Sequence, residues 1–519
     1  MLKSLFPGLP NPAYRILILV VLVLGIAFRF INLDHKVFWK DEAYSLLRVS
    51  AYTKGELIQN EFDGELIQPS DLLKYQIPNA DRGVQGTLTS LATDAPMHSP
   101  FYFVVTRFAT QLTGNPILAS RGLAAFFSLL IFPALYWLCL ELFHTSFTGW
   151  IAIALVAVSP FQLVYAQEAR QYSLWAAVTL FSSAALLRAM RTEKPRDWIV
   201  YTGAIAFGFY TYLFSILVAA SHHVYVWLMD GLRIRRNLIF TALAALISSL
   251  LFIPWILVIL NSLERFSSGS TSLSLMNFVR LWARFFSYLV FDLQLGYDDP
   301  FRYGIPVILL LFIFCAYSVI RHLPARASGF ILILTLFPFL TVTIPGVLFG
   351  GLRAATPRYF IPTFLGVQLA LAFTISHYLI NGQGRAWVKR MWEIIFVSIL
   401  SAGVFSCVVN LQSDTWWNKY ASYYDADVAE IVNATERPLL ISSDSTNVGI
   451  LSLAYLLDDH VTLQLFTEPA LPEENMGDGY SDVFVFNVSN SYRRALETER
   501  NYQLETIIKS RPTRLWKLE

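Results

Sequence analysis

Long apolar runs alternate with short polar connections along most of this chain. Runs of about twenty apolar residues lie at 14–33, 121–143, 147–166, 171–190, 198–215, 216–232, 238–260, 303–320, 329–348, 359–380 and 391–410. At the rise of an α-helix each is long enough to cross a hydrocarbon core. They predict about eleven transmembrane helices. The connections carry a second pattern. Arg191/Lys194/Arg196, Arg233/Arg235/Arg236, Arg321/Arg326 and Arg385/Lys389/Arg390 fall at alternate connections. Membrane proteins keep such basic loops in the cytoplasm, and counting back from them puts the N-terminus inside too. The same count assigns Asp34–Pro100, Gln167–Arg170, Asn261–Arg302, Gly350–Arg358 and the tail from Leu411 to the extracytoplasmic side.

Two stretches are too short to span and fit helices lying at the membrane interface. Phe101–Thr113 closes the long first outer loop, and Asn277–Asp292 sets Arg280 and Arg284 among Leu281, Trp282, Phe285, Phe286 and Leu289. After Leu411 the apolar runs shrink to strand length, at Pro438–Ser442, Val461–Phe466 and Asp482–Val488, with helical stretches at Asp425–Asn433 and Ser491–Arg500. Asp, Ser, Gly and Pro bound them, as in a small α/β domain. The expected fold is therefore an α-helical polytopic membrane protein over 1–410, with its first outer loop at 34–100, followed by an extracytoplasmic α/β domain over 411–519.

Composition narrows the function class. With 519 residues, 55% of them hydrophobic and 15% charged, and a mean hydropathy of +0.50, the chain carries more apolar surface than one water-soluble core needs. A net charge of +2 gives no footprint for nucleic acid. Cys139, Cys315 and Cys407 all fall in apolar runs, which argues against loop disulfides and a cysteine metal site. There is no Walker loop, no GxGxxG after a strand, no HExxH and no CxxC, so soluble nucleotide-sugar or ATP chemistry has no support.

Four charged clusters, all on the predicted outer side, are candidates for chemistry. Asp41 and Glu42 follow the first span; a carboxylate partly stripped of water there can take a proton from a hydroxyl or hold a cation, or can simply mark a solvated helix end. His98-Ser99-Pro100, followed by Phe101, Tyr102 and Arg107, puts a histidine at the head of a helix, as a phosphate contact or a plain loop residue. Gln167-Glu168-Ala169-Arg170-Gln171-Tyr172 packs an acid and a guanidinium into one tight turn, to orient a bound hydroxyl compound or as a surface ion pair. Arg353 and Arg358 make the fourth cluster; Arg358 leads into a span at the depth of a lipid phosphate, where a planar fork of donors suits that group, although arginines at helix ends also snorkel. His222 and His223 point to different faces of one helix and fit satisfied structural histidines better than metal ligands.

Read in order, the clusters form a series. Arg29-Phe30 precedes Phe38-Trp39-Lys40-Asp41-Glu42-Ala43-Tyr44-Ser45; then come His98-Ser99-Pro100-Phe101-Tyr102, Ser159-Pro160 with Gln167-Glu168-Ala169-Arg170-Gln171-Tyr172-Ser173, and Arg358-Tyr359-Phe360-Ile361-Pro362. Over roughly residues 15–380 the chain resembles the bacterial glycosyltransferase family 39 type, dolichyl-phosphate-mannose protein mannosyltransferase-like membrane enzymes of the GT-C fold. His98-Ser99-Pro100 stands where that family usually has His-Pro-Pro, and Lys40 fills a position that is often apolar.

The resemblance implies a polyprenyl-phosphate-linked sugar as donor and a hydroxyl-bearing acceptor, a glycan, lipid or protein, approaching from outside the bilayer. By motif, Asp41 would be the general base and Glu42 its neighbour in acceptor or metal positioning. His98 would lie near the donor phosphate, with Tyr102, Glu168, Arg170, Tyr172 and Arg353 lining the substrate cavity and Arg358 pairing with the phosphate. No cofactor is certain, and a divalent metal stays open. A single displacement inverts the anomeric centre, whereas a double one needs a second carboxylate within about 5 Å as nucleophile. The expected localisation is the inner cell membrane. A transporter or flippase of lipid-linked sugars is the alternative, since charges near lipid also mark substrate pathways; here they gather on one side instead of at mid-membrane.

Overall fold

The computed structural model describes residues 8, 11–262, 273–294, 300–381, 386–446, 449–473, 477–500, 502–510 and 513–518. Arg385 of the last basic cluster lies outside the described residues, as do 263–272 and 295–299 of the predicted loop Asn261–Arg302. The chain divides into two compact units. One comprises 1–31, 96–101 and 122–411, and the other comprises 32–95, 102–121 and 412–519.

The first unit is helical, and every predicted apolar run folds as helix. Asn11 caps Pro12–Phe30 by accepting from the Ala13 N–H at 2.9 Å, with Pro12 in the first turn, where its missing N–H costs nothing. Among the described residues seven helices are long and apolar enough to cross a membrane, or nine if each bent pair is one span. The bent pairs are Ser146–Ala157 with Pro160–Ala166, at 65°, and Arg236–Leu251 with Ile253–Leu260, at 66°. Pro160 and Pro254 open the second member of each pair, and a proline that cannot donate to the helical ladder explains each break. The runs at 198–215 and 216–232 become Pro195–Thr211 and Ser215–Met229, helices of 17 and 15 residues that are shorter than the span length. The second expected interfacial helix is Leu275–Ser287, with Leu275, Met276 and Val279 exposed and Phe278 and Phe285 buried. Together the apolar spans make this an integral membrane protein.

The second unit is built on a six-stranded sheet. Its strands are β1 (Asp63–Ile67), β2 (Pro438–Ser443), β3 (Thr462–Phe466), β4 (Asp482–Phe486), β5 (Leu504–Lys509) and β6 (Arg514–Leu518), in the order β1-β3-β2-β4-β6-β5. β2 lies parallel to both β3 and β4, and it is buried along its whole length, the expected state of a central parallel strand. Leu439, Ile441, Val483, Val485 and Trp516 pack with Tyr492 and Leu496 of the helix Asn490–Glu499. The three predicted strands are thus β2, β3 and β4, while β5 and β6 extend the sheet beyond β4.

β1 comes from the first outer loop. It runs antiparallel to β3, and Gly64, at φ +90°, takes up an irregularity in the pairing that other residues would resist. The loop is otherwise helical, at Lys40–Val49, Lys54–Glu61, Pro69–Leu73 and Gly83–Asp94. Residues 32–95 therefore fold in one unit with the tail, whereas the sequence pattern grouped them with the membrane domain. Phe101–Thr113 is a helix as expected, with Phe108 and Leu112 exposed and Phe103, Thr106, Arg107 and Thr110 buried.

Candidate active site

Asp41 and Glu42 stand in the first turn of Lys40–Val49, where unpaired N–H groups and the helix dipole favour carboxylates. Glu42 Oε2 reaches back toward the Trp39 N–H at 3.4 Å, as an acid three residues past the cap does. From there the two acids part. Glu42 is fully buried, and Arg121 grips it from two points, Nε donating to Oε1 at 2.9 Å and Nη2 to Oε2 at 2.7 Å. Lys419 Nζ donates to the same Oε2 at 2.7 Å. Arg121 also donates to the carbonyls of Leu33 at 2.6 Å, Lys36 at 2.9 Å and Val37 at 2.9 Å. The strand of chain that leads into the helix therefore wraps around one guanidinium. Asp41 projects from the helix about 100° away from Glu42 and is only partly buried.

The tail holds this segment as well. Asp414 O accepts from the Val37 N–H at 2.8 Å, and Ser422 Oγ accepts from the Lys40 N–H at 3.1 Å. Ser452 Oγ lies 2.8 Å from the Phe38 carbonyl and 3.0 Å from Asp425 Oδ2. One hydroxyl has one proton, so both contacts are satisfied when Ser452 donates to Phe38 and Asp425 is protonated. Burial pushes Asp425 up to about 7, against the pull of Ser422, Ser452 and the Lys40 charge. Burial likewise lowers Lys40, with Asp41 opposing it.

The other unit carries a cationic and aromatic cluster. Glu168, Arg170, Gln171 and Tyr172 are buried where the bent span turns into Tyr172–Thr192. His98 is held in place by its neighbours, because Ser99 Oγ donates to Phe209 O at 2.6 Å and Trp255 Nε1 donates to Pro96 O at 3.0 Å. Its ring meets the turn twice, Nε2 at 3.4 Å from Arg170 Nη2 and Nδ1 at 3.5 Å from Gln171 Nε2. The guanidinium carbons of Arg170 and Arg358 lie 5.9 and 5.6 Å from the centre of one ring, that of Tyr172. Tyr165 and Tyr212 pack edge-on against the same ring at 5.3 and 5.8 Å. An aromatic face attracts a cation, so this arrangement draws two arginines to one place, and a guanidinium is a group that suits a phosphate.

The structure thus brings His98, Arg170, Tyr172 and Arg358 together, with Glu168 in the same turn. Arg353 is exposed on the turn Leu352–Ala355, and the cluster is built without it. Asp41, Glu42 and Tyr102 belong to the other unit. Tyr102 is fully buried, its hydroxyl donating to Ser120 O at 3.2 Å, so it packs one helix against the next. Arg107 is likewise structural, donating to Val49 O at 3.0 Å and to Asn79 O. Sequence reasoning missed Arg121, which it took for the head of an apolar run, and Lys419 and Asp425, which it left in the tail. The only local hint is the aromatic stretch Trp416–Tyr424 around Lys419.

Metal binding through Glu42 does not fit its surroundings, since both its oxygens are held by Arg121 and Lys419. Among the described residues no three His, Cys, Asp or Glu side chains stand together as ligands for a metal. His222 is a satisfied structural histidine, with Nε2 3.0 Å from Ser183 Oγ and Nδ1 3.3 Å from the Tyr201 hydroxyl.

Comparison with known proteins bears out the resemblance read from the motifs. Residues 97–258 match the family model described as dolichyl-phosphate-mannose-protein mannosyltransferase. ArnT from Cupriavidus metallidurans in the apo state aligns over 96% of this chain and 97% of its own, at 13% identity and a TM-score of 0.55. ArnT bound to undecaprenyl phosphate aligns over the same shares and at the same identity, with a TM-score of 0.54. AglB, the oligosaccharyltransferase of Archaeoglobus fulgidus, in complex with an inhibitory peptide and a dolichol-phosphate, covers 86% of this chain and 60% of its own at 13% identity and a TM-score of 0.49. A sequence search of curated proteins finds no match. The ArnT likeness establishes a shared fold, GT-C-like, over nearly the whole chain.

Proposed function

We propose that this protein is a membrane glycosyltransferase that moves a sugar from a polyprenyl-phosphate donor to an acceptor hydroxyl on the extracytoplasmic side. The observation that carries this reading is the gathering of Arg170, Arg358 and His98 around Tyr172 on a chain with the ArnT fold. Two findings support the donor class. ArnT has been solved with undecaprenyl phosphate, and the family model that matches residues 97–258 is named for a dolichyl-phosphate sugar. The side follows from the alternate basic connections, which put the N-terminus in the cytoplasm and the tail outside the inner membrane.

In the reaction the acceptor oxygen bonds to the anomeric carbon as the bond from that carbon to the phosphate oxygen breaks. The electron pair leaves with the phosphate, whose charge rises, and Arg358 and Arg170 meet that charge with His98 beside them. The acceptor hydroxyl loses its proton to Asp41 at the same stage. Glu42 is committed to Arg121 and Lys419, so it anchors the helix start instead of serving as a nucleophile. One displacement with one base inverts the anomeric centre.

Reconstitution in liposomes with a synthetic polyprenyl-phosphate sugar tests the reading, with acceptors identified by mass spectrometry of cell-envelope glycans and lipids with and without the protein. Asp41→Asn should insert and fold normally yet lose transfer by about 10²- to 10⁴-fold. Normal turnover in that variant would refute the base assignment, and a wild-type protein that transfers no sugar would refute the function.

A further inference from the structure

Arg29-Phe30 stands first in the motif series, yet sugar transfer as proposed gives it no task. Its environment supplies one. Pro160 has no N–H and Phe161 gives its own to Tyr288 O at 3.0 Å, so the last carbonyls of Ser146–Ala157 are poorly served by their own helix, Val156 O accepting from the Ser159 N–H at 3.4 Å. Arg29, fully buried on Pro12–Phe30, meets two of them, Nη1 donating to Ala157 O at 2.8 Å and Nη2 to Val156 O at 3.3 Å. Cys407 Sγ lies 3.5 Å from the next, Val158 O. Phe132 places its ring 4.9 Å from the guanidinium. The approach depends on Gly25, because a Cβ there would stand 2.5 Å from Ala157 O.

The far end of the bent span returns the contact. Gln167 Nε2 donates to Phe28 O and Ile31 O, each at 2.8 Å, and these are carbonyls at the C-terminal end of Pro12–Phe30. Each helix end is thus capped by a side chain that the other element supplies. Between Arg29 and Gln167 lies the short helix Pro160–Ala166, and directly after it comes the turn that carries Glu168 and Arg170.

We infer that Arg29 and Gln167 are positioning residues that fix where the bent span ends and so hold the Glu168–Arg170 turn against His98. The consequence for donor binding rests on the function proposed above, whereas the capping itself does not. A displaced turn moves Arg170 away from the phosphate site without touching the donor's other contacts, so donor recognition suffers before acceptor recognition does.

The test uses the full-length protein in lipid nanodiscs, as wild type, Arg29→Met, Arg29→Lys and Gln167→Leu. Gln167→Leu matters most, because it removes two caps without leaving a buried charge. Amide exchange over residues 158–171 should rise about tenfold in Arg29→Met and Gln167→Leu, with residues 438–518 unchanged. The KM for a polyprenyl-phosphate sugar should rise about tenfold or more in the same variants at unchanged acceptor KM, and Arg29→Lys should recover most of it. Unchanged exchange overturns the capping. Raised exchange with an unchanged donor KM overturns the link to the site. A wild type that binds no such donor overturns the functional reading and that link together, and the exchange result then decides the capping alone.

Discussion

Glu42 and Tyr172 each gather two cations, and the two gatherings contrast an anchor with the proposed donor site. Around Glu42, the five N–H donors of Arg121 meet five protein acceptors, two of them the Glu42 oxygens, and Lys419 adds a further bond. That network is closed, and it ties residues 33–42 to a fixed place. Around Tyr172, Arg170 and Arg358 stand over a ring face, with the His98 imidazole 3.4 Å from Arg170 Nη2. A buried arginine is therefore not in itself a sign of function.

The comparison breaks if the two groups respond alike to loss of a cation. The largest effect is expected at the anchor. Arg121→Met leaves Glu42 to Lys419 and strips three buried carbonyls of their donor, which should cost about 3–5 kcal/mol of stability. A lowered thermal midpoint and a smaller folded fraction after detergent extraction would show it, and a wild-type midpoint would dissolve the anchor. At the aromatic cluster, Arg358→Ala should leave the midpoint nearly unchanged while weakening donor binding by about 10- to 100-fold, the worth of one charge-assisted contact to phosphate. Titration with a synthetic polyprenyl-phosphate sugar measures this, and unchanged affinity would remove Arg358 from the site.

The smallest effect sharpens the anchor side through pH. Asp425 is held protonated up to about 7 in the folded protein, whereas an unfolded carboxyl ionises near about 4. Between those values the folded state binds more protons, so this group's contribution to stability is full below the window and falls as pH rises through it. Asp425→Asn removes the titration, and its apparent Tm should fall less than that of the wild type between about pH 4 and 7. Parallel Tm curves for the two proteins would show that Asp425 does not titrate in this range.

Much of the fold was legible because it obeys local rules. Apolar runs long enough to span became helices, and β2, β3 and β4 matched short apolar runs in the tail, whereas the bends at Pro160 and Pro254 were not foreseen. β1 was not legible, since Asp63–Ile67 alternates poorly and is a strand only because β3 offers an edge. At the site, His98, Arg170, Tyr172 and Arg358 were named from motifs and do meet, while Tyr102 is buried with its hydroxyl on Ser120 O and Arg353 lies exposed on its own turn.

By itself, then, the amino-acid sequence determined that the long apolar runs are helices and that the tail carries β2, β3 and β4, because each follows from periodicity or length within a few residues. The tertiary structure alone decided which partners each charge meets. Glu42 meets Arg121 across 79 positions and Lys419 across 377, and Arg29 reaches Ala157 across 128. A buried ion takes its role from whichever partners the fold delivers to it, and no window of sequence contains both.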